Sequence, residues 1–367
     1  MTDKIINNEQ LDFDDVMIKP IPSTVESRAD AKVVRPFRFK WTGRTIEGSP
    51  ALASNMDCTG TFDMAKELEK RQMFCALSKH YSAKQVIQFL EDNAYDFGTN
   101  DYIFISTGLR KDDFEKLKEI MKTGLCRNIR LDAPNGYITG FVQHLKRIRT
   151  LFPNAIILAG NVVTPEKTEE LIQNGADGVV VGIGGGSQCS TRVMTGVGRP
   201  QLSTVLECAP AARKNDGLLV SDGGIQKPGD YVKAIAANAD FVMMGGYLAG
   251  CSEAGGDYIR KLIETNDLKV TGEKERHIKE YKLFYGMSSE FAQNKHYKGM
   301  EKYRASEGIV SLVPFTGPVV KRIQELEGGL RSAMTYTNSR TIEEFQKNAQ
   351  FYKARHQINR NPKSIEL

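Results

Sequence analysis

Between residues 50 and 250 the sequence repeats one unit eight times: a short apolar, β-rich run followed by an amphipathic stretch of helical character. The runs are PALASN from Pro50, FCALS from Phe74, YIFIST from Tyr102 and IRLDA from Ile129. AIILAG from Ala155, GVVVGIG from Gly178, GLLVSDGG from Gly217 and DFVMMGG from Asp240 complete the set. Runs without polar alternation belong to strands buried on both faces, as in a parallel sheet covered by helices. Stretches such as TFDMAKELEKR and TPEKTEELIQNGA supply the covers. The second has Thr164 as N-cap, Pro165 at the first helical position and Gly175 as its stop. Eight such units predict an α/β fold, a closed (β/α)8 TIM barrel, with a doubly wound open sheet as the structural rival.

Most of these runs end in small or polar residues: Asn55 to Asp57, Ser78 to His80, Asp132 to Asn135, Gly160 and Asn161, Asp222 to Gly224, Gly245 and Gly246. In a barrel those ends share one face, where active sites are built. Turn formation explains some of them, but not the whole series. Outside residues 50–250 lie a lead-in, 1–49, with the only tryptophan, Trp41, and a flap region, 251–315. Residues 316–367 read as a C-terminal helical closure, with a helix from Thr341 and a basic end. The expectation is a single catalytic barrel domain over 1–367. The flap is too charged for barrel core, so it is either a mobile active-site flap or a solvated excursion.

Several classes of function are excluded by composition. A net charge of +5 without a Lys/Arg block interleaved with aromatics does not describe a nucleic-acid surface. No apolar run approaches a membrane span, and MTDKIINNEQ lacks the apolar core of a signal peptide. Six cysteines without a CxxC pair predict a reduced, cytoplasmic protein and no zinc site.

One cysteine is unusual. Cys189 lies in GIGGGSQCSTRVMTGVG, after the sixth run, among Gly, Ser and Thr that offer little to bury it. Gly184, Gly185 and Gly186 let backbone groups approach a ligand, and Arg192 with the hydroxyls favours thiolate character. A reactive nucleophile fits that setting better than a turn filler. The paired glycines of SDGG and MGGYLAG follow the seventh and eighth runs, where barrels commonly bind phosphate. Asp222 is suited to ribose hydroxyls. Arg304 and Glu307 in YRASEG, taken alone, read as a solvated charged face.

Taken together, LDFDDVMIKP, NMDCTGTF, SKHYS, AGNVVT, VGIGGGSQCSTRVMTGVGRPQLS, SDGGIQKPGD, ADFVMMGGYLAG, FYGMSSE and YRASEG resemble the IMP dehydrogenase/GMP reductase family nearly end to end. FYGMSSE and YRASEG are similar to its reductase branch. The CBS modules usual in the dehydrogenases are not expected, because His80 and Tyr102 stand too close to admit them. The rival within the family is an IMP dehydrogenase lacking those modules.

The resemblance implies that Cys189 attacks C2 of GMP, that ammonia leaves a covalent thioimidate, and that NADPH delivers hydride to release IMP. Thr191 and Glu307 match the pair that handles the protons. The GMP site would comprise Asp222, Gly223, Gly224, Gly245, Gly246, Gly286, Met287, Ser288, Arg304, Ala305, Ser306 and Gly308. NADPH contacts map to Ser27, Arg28, Lys79, Asp132, Ala133, Pro134, Ile183, Gly184, Met287, Tyr303 and Arg304. A potassium site would use Gly184, Gly186, Cys189 and Arg192, and the assembly would be a homotetramer. Pro134 and Gly185 depart from the family's usual DVANGY and GIGPGS, and the segment 266–282 is longer than usual.

Overall fold

A computed structural model describes residues 4–6, 8–97, 99–268, 274–297, 299–303 and 305–354. Each of the eight apolar runs forms a strand: β1 (Ala51–Ala53), β2 (Phe74–Leu77), β3 (Ile103–Thr107), β4 (Asn128–Asp132), β5 (Ile156–Val162), β6 (Gly178–Val181), β7 (Leu218–Asp222) and β8 (Phe241–Met244). They pair in parallel around a closed barrel, with β8 hydrogen-bonded to β1, so the open-sheet alternative is set aside. Every residue of β1, β2, β3, β6 and β8 is buried, because core packs against both faces. Leu52, Phe74, Phe104, Leu158, Val180, Val220 and Phe241 fill the barrel interior. The opposite faces meet the helical ring through residues such as Leu90, Leu117, Leu145 and Ile172.

Helix Pro165–Gln173 starts at the expected proline, and Gly175 follows its end with φ +120. Thr164 occupies the cap position, but its hydroxyl makes no capping bond. It accepts instead from the Tyr137 hydroxyl at 3.2 Å.

The lead-in closes the lower end of the barrel. Arg35–Arg38 and Thr45–Gly48 form an antiparallel pair, which directs Phe37, Phe39 and Ile46 into the interior. Phe37 stacks on Phe241 with ring centroids 4.1 Å apart. Nearby, the Trp41 indole N–H donates to the Ile172 carbonyl at 3.0 Å. With this end sealed, the C-terminal strand ends form the accessible mouth.

After β8 comes an insertion rather than a helix. Its strands β9 (Tyr258–Leu268), β10 (Lys274–Tyr285) and β11 (Val310–Pro314) form an antiparallel three-stranded sheet. The flap region therefore has regular structure that its charge disguised. An exposed antiparallel sheet needs only part of its surface to be apolar, so Lys, Glu and Arg interrupt its strands. Helix Val319–Tyr336 then packs against helix Pro228–Ala236 and completes the outer ring. The expected helix from Thr341 is Ile342–Asn348, with the Thr341 hydroxyl accepting from the Glu344 N–H at 3.2 Å. Among the described residues no helix is long and apolar enough to cross a membrane.

Candidate active site

The ends of β1, β6, β7 and β8 and the insertion enclose a cleft of about 250 Å³ at the barrel mouth. Cys189 stands in its wall as the only half-buried cysteine; the other five are buried. The thiol donates to Thr191 Oγ1 at 3.2 Å, and that hydroxyl donates to Glu307 Oε2 at 2.8 Å. Thiol, hydroxyl and carboxylate thus form one hydrogen-bonded chain that crosses from the barrel to the insertion.

Backbone bonds hold the two parts together. Ser190 N–H donates to the Glu307 carbonyl at 3.2 Å and Ile309 N–H to the Gln188 carbonyl at 3.1 Å, while Glu307 N–H donates to the Ser288 carbonyl at 3.3 Å within the insertion. Cys189 and Gly308 also form an isolated antiparallel bridge. This contact needs glycine: a Cβ on Gly286 would stand 2.8 Å from the Gln188 carbonyl oxygen and 2.9 Å from Gly308 Cα. Two glycines therefore let the insertion lie directly on the cysteine loop.

Below the cleft, a buried arginine organises the polar floor. Arg130 donates to Asn161 Oδ1 at 2.7 Å and to Asp132 Oδ1 at 3.1 Å. Asn161 donates in turn to Asp222 Oδ2 at 2.7 Å and to the Gly182 carbonyl at 2.9 Å. Enclosure pushes the Asp222 carboxyl above its ordinary range, and the Asn161 hydrogen bond partly offsets that effect. Gly223 and Gly224 have φ of +94 and +81, so the chain turns there with its backbone bare. At Gly246 a Cβ would stand 2.5 Å from Ser187 Oγ, so a side chain there would displace Ser187 and make the floor shallower.

Of the residues expected at the site, Cys189, Thr191, Glu307, Asp132, Pro134, Ile183, Gly184 and Gly186 line the cleft. Asp222, Gly223, Gly224, Gly245, Gly246, Gly286, Met287 and Ser288 do so as well. Ala133, Arg192, Ala305, Ser306 and Gly308 lie outside the lining. Ser306 Oγ accepts from the Glu290 N–H at 3.3 Å and so supports the insertion from behind. Ser27, Arg28, Lys79 and Tyr303 are not part of the lining either. Ser27 caps a short helical turn at Arg28–Asp30, packed against Val319–Tyr336, and Tyr303 is exposed. Arg304 lies outside the described residues. Apolar wall residues that the sequence reasoning missed include Met56 and Phe284. Their available signal was position, beside Asp57 in NMDC and directly before YGMSS.

A closed parallel barrel with a thiol–hydroxyl–carboxylate chain at its C-terminal mouth defines a barrel protein whose cleft is organised around a cysteine. The IMP dehydrogenase / GMP reductase domain pattern matches residues 10–361, and the chain belongs to that family. It is 45% identical over 366 residues to a GMP reductase of Onchocerca volvulus, covering 99% of this chain and 96% of that one. It is 45% identical to GMP reductase 2 of Homo sapiens over 97% of both chains. A GMP reductase of Salmonella typhi is 45% identical over 97% of this chain and 98% of its own.

Proposed function

We propose that this protein is an NADPH-dependent GMP reductase, converting GMP to IMP and ammonia through a covalent bond at Cys189. The observation that carries the reading is the Cys189–Thr191–Glu307 hydrogen-bonded chain beside the cleft. The names of relatives matching over nearly the whole chain support the same substrate.

The cysteine sulfur adds to C2 of the guanine, and the C2–N2 bond breaks as ammonia departs. Thr191 and Glu307 supply a path for the proton that the leaving amine must gain, because an amide anion is not expelled. NADPH, when bound, supplies a hydride to C2. The carbon–sulfur bond then breaks and Cys189 leaves as thiolate, the form in which it attacked. Asp222 takes the ribose hydroxyls, and the bare backbone at Gly223, Gly224, Gly245 and Gly246 takes the phosphate. Gly286, Met287 and Ser288 read the base from above, with Ala305, Ser306 and Gly308 behind them, and Arg304 is assigned to the same nucleotide.

The nicotinamide side is assigned to Asp132, Ala133, Pro134, Ile183, Gly184 and Met287. Ser27, Arg28, Lys79, Tyr303 and Arg304 complete the assignment, and basic groups among them suit a 2′-phosphate. A potassium ion would be held by carbonyls of Gly184, Gly186, Cys189 and Arg192. The Gly186 and Arg192 oxygens accept from Cys189 and Gly196 N–H groups at 3.0 and 3.1 Å, and each keeps one lone pair for an ion. Exposed Val193, Met194 and Val197 beside this loop favour assembly, as a homotetramer. Free thiols at all six cysteines suit a reducing, cytoplasmic setting.

An IMP dehydrogenase would share Cys189 and the barrel but would admit water, not ammonia, at C2. The deciding experiment offers the protein GMP with NADPH, then IMP with NAD, and follows the reduced nicotinamide. GMP-dependent loss of NADPH with release of ammonia is expected. Reduction of NAD with IMP alone would overturn the reading.

A further inference from the structure

The stretch Gly286–Ser288 enters the cleft from the insertion, and both of its flanks are held by a single side chain outside that cleft. On one side the Tyr285 hydroxyl donates to Asp57 Oδ2 at 2.8 Å. On the other, helix Glu290–His296 carries His296, whose Nε2 donates to the same oxygen. Lys295 donates to the Tyr285 hydroxyl at 2.8 Å and lies 3.7 Å from Asp57 Oδ2. The second carboxylate oxygen, Oδ1, accepts from Ser78 Oγ at 2.8 Å, just beyond β2. Asp57 follows Asn55 and Met56, which line the cleft.

The charge on Asp57 suits this geometry. Burial pushes its carboxyl up, but the bonds from His296, Ser78 and Tyr285 outweigh burial and hold it below its ordinary value. Only the carboxylate offers acceptor sites on both oxygens to several donors at once. The seat extends further along the barrel rim. His80 stacks on His296 with centroids 3.6 Å apart and planes 12° apart, and the Arg110 guanidinium lies 4.0 Å over the Tyr297 ring. Asp57, His80 and His296 are thus joined to one another by hydrogen bonding and stacking.

We infer that Asp57 is a positioning residue which, through Tyr285 and His296, fixes the height of Gly286–Ser288 above Cys189. The inference deepens the GMP reductase reading and rests on it for its kinetic consequence. In Asp57→Asn an amide N–H replaces one acceptor and faces donors. The stretch is then free to shift, while phosphate and ribose contacts on other loops persist.

The test uses the full chain. Hydrogen exchange without nucleotide should show residues 285–297 of Asp57→Asn exchanging about tenfold faster or more, with β5 and β6 unchanged. Turnover of GMP with NADPH should lose about tenfold or more in kcat, with KM for GMP changed by less than about threefold. Tyr285→Phe removes one donor and should give a smaller loss, and the double variant should lose at least about twofold less than the product of the two single losses. If Asp57→Asn fails to fold, Tyr285→Phe carries the test alone. Faster exchange throughout the barrel, or a kcat within about twofold of the parent in a folded variant, overturns the inference. Should the parent protein turn over no GMP, the functional reading fails instead, and the exchange pattern alone still decides the clamp.

Discussion

Thr191 donates its hydroxyl proton to Glu307 at 2.8 Å, joining residues 116 positions apart across the seam between barrel and insertion. The bond sets the carboxylate one hydroxyl away from the Cys189 sulfur. In Glu307→Gln an amide oxygen can still accept from Thr191, so the seam survives. The amide cannot pass a proton, so kcat for GMP should fall by about a hundredfold or more. Calorimetric GMP affinity should change little. Near-normal turnover would remove Glu307 from proton transfer.

Cys189 should be the thiol that alkylating reagents reach first. Burial pushes Cys58, Cys208 and Cys251 up to about 11 and Cys126 to about 12, and it raises Cys75 as well. Those thiols are protonated and enclosed, hence unreactive at neutral pH. Iodoacetamide should modify Cys189 selectively, with loss of activity in step, and GMP should protect it. Cys189→Ala should bind GMP and turn over none. Peptide mapping that finds Cys58 or Cys126 modified first would contradict this order.

Gly246→Ala tests the phosphate floor. The added methyl would stand 2.5 Å from Ser187 Oγ and 3.4 Å from the Phe284 ring. Ser187 can rotate away, so the barrel should remain folded, but the floor becomes shallower. KM for GMP should rise by about tenfold, the equivalent of some 1.4 kcal/mol, with a smaller effect on kcat. Steady-state kinetics on the folded variant reads both constants. An unchanged KM would move the phosphate elsewhere.

The eight strands were legible because burial on both faces leaves a largely apolar run. The floor hairpin was not. Its alternation, Phe37 and Phe39 buried with Pro36, Arg38 and Lys40 exposed, spans too few residues to stand out as a strand. The insertion sheet was hidden by its charge. At the site, Cys189 was legible from its small neighbours, and the glycine pairs from their strand-end positions. The Asp57 clamp could not be read. Its partners Ser78, Tyr285 and His296 lie 21, 228 and 239 residues away, and only the closed fold brings them together.

Glu69 should make stability depend on pH far from the active site. It lies 5% exposed on helix Phe62–Glu69, where burial, against one hydrogen bond from Asn93, pushes its carboxyl up to about 7. Its Oε1 and the Asn93 Oδ1 are both buried acceptors without a donor among the described residues. A proton on Glu69 would relieve one of them. The folded chain therefore holds a proton that the unfolded chain, with a carboxyl near 4.5, has released. Stability from this group is fully present below pH 4.5 and declines as pH rises to about 7, then stays level. Glu69→Gln retains an acceptor for Asn93 and supplies an N–H in place of the lost proton. At pH 8 the variant should be more stable by on the order of 1–3 kcal/mol, with the advantage shrinking toward pH 5. Urea melts of both proteins across that range read the difference. A constant offset between them would mean that Glu69 stays charged in the folded chain.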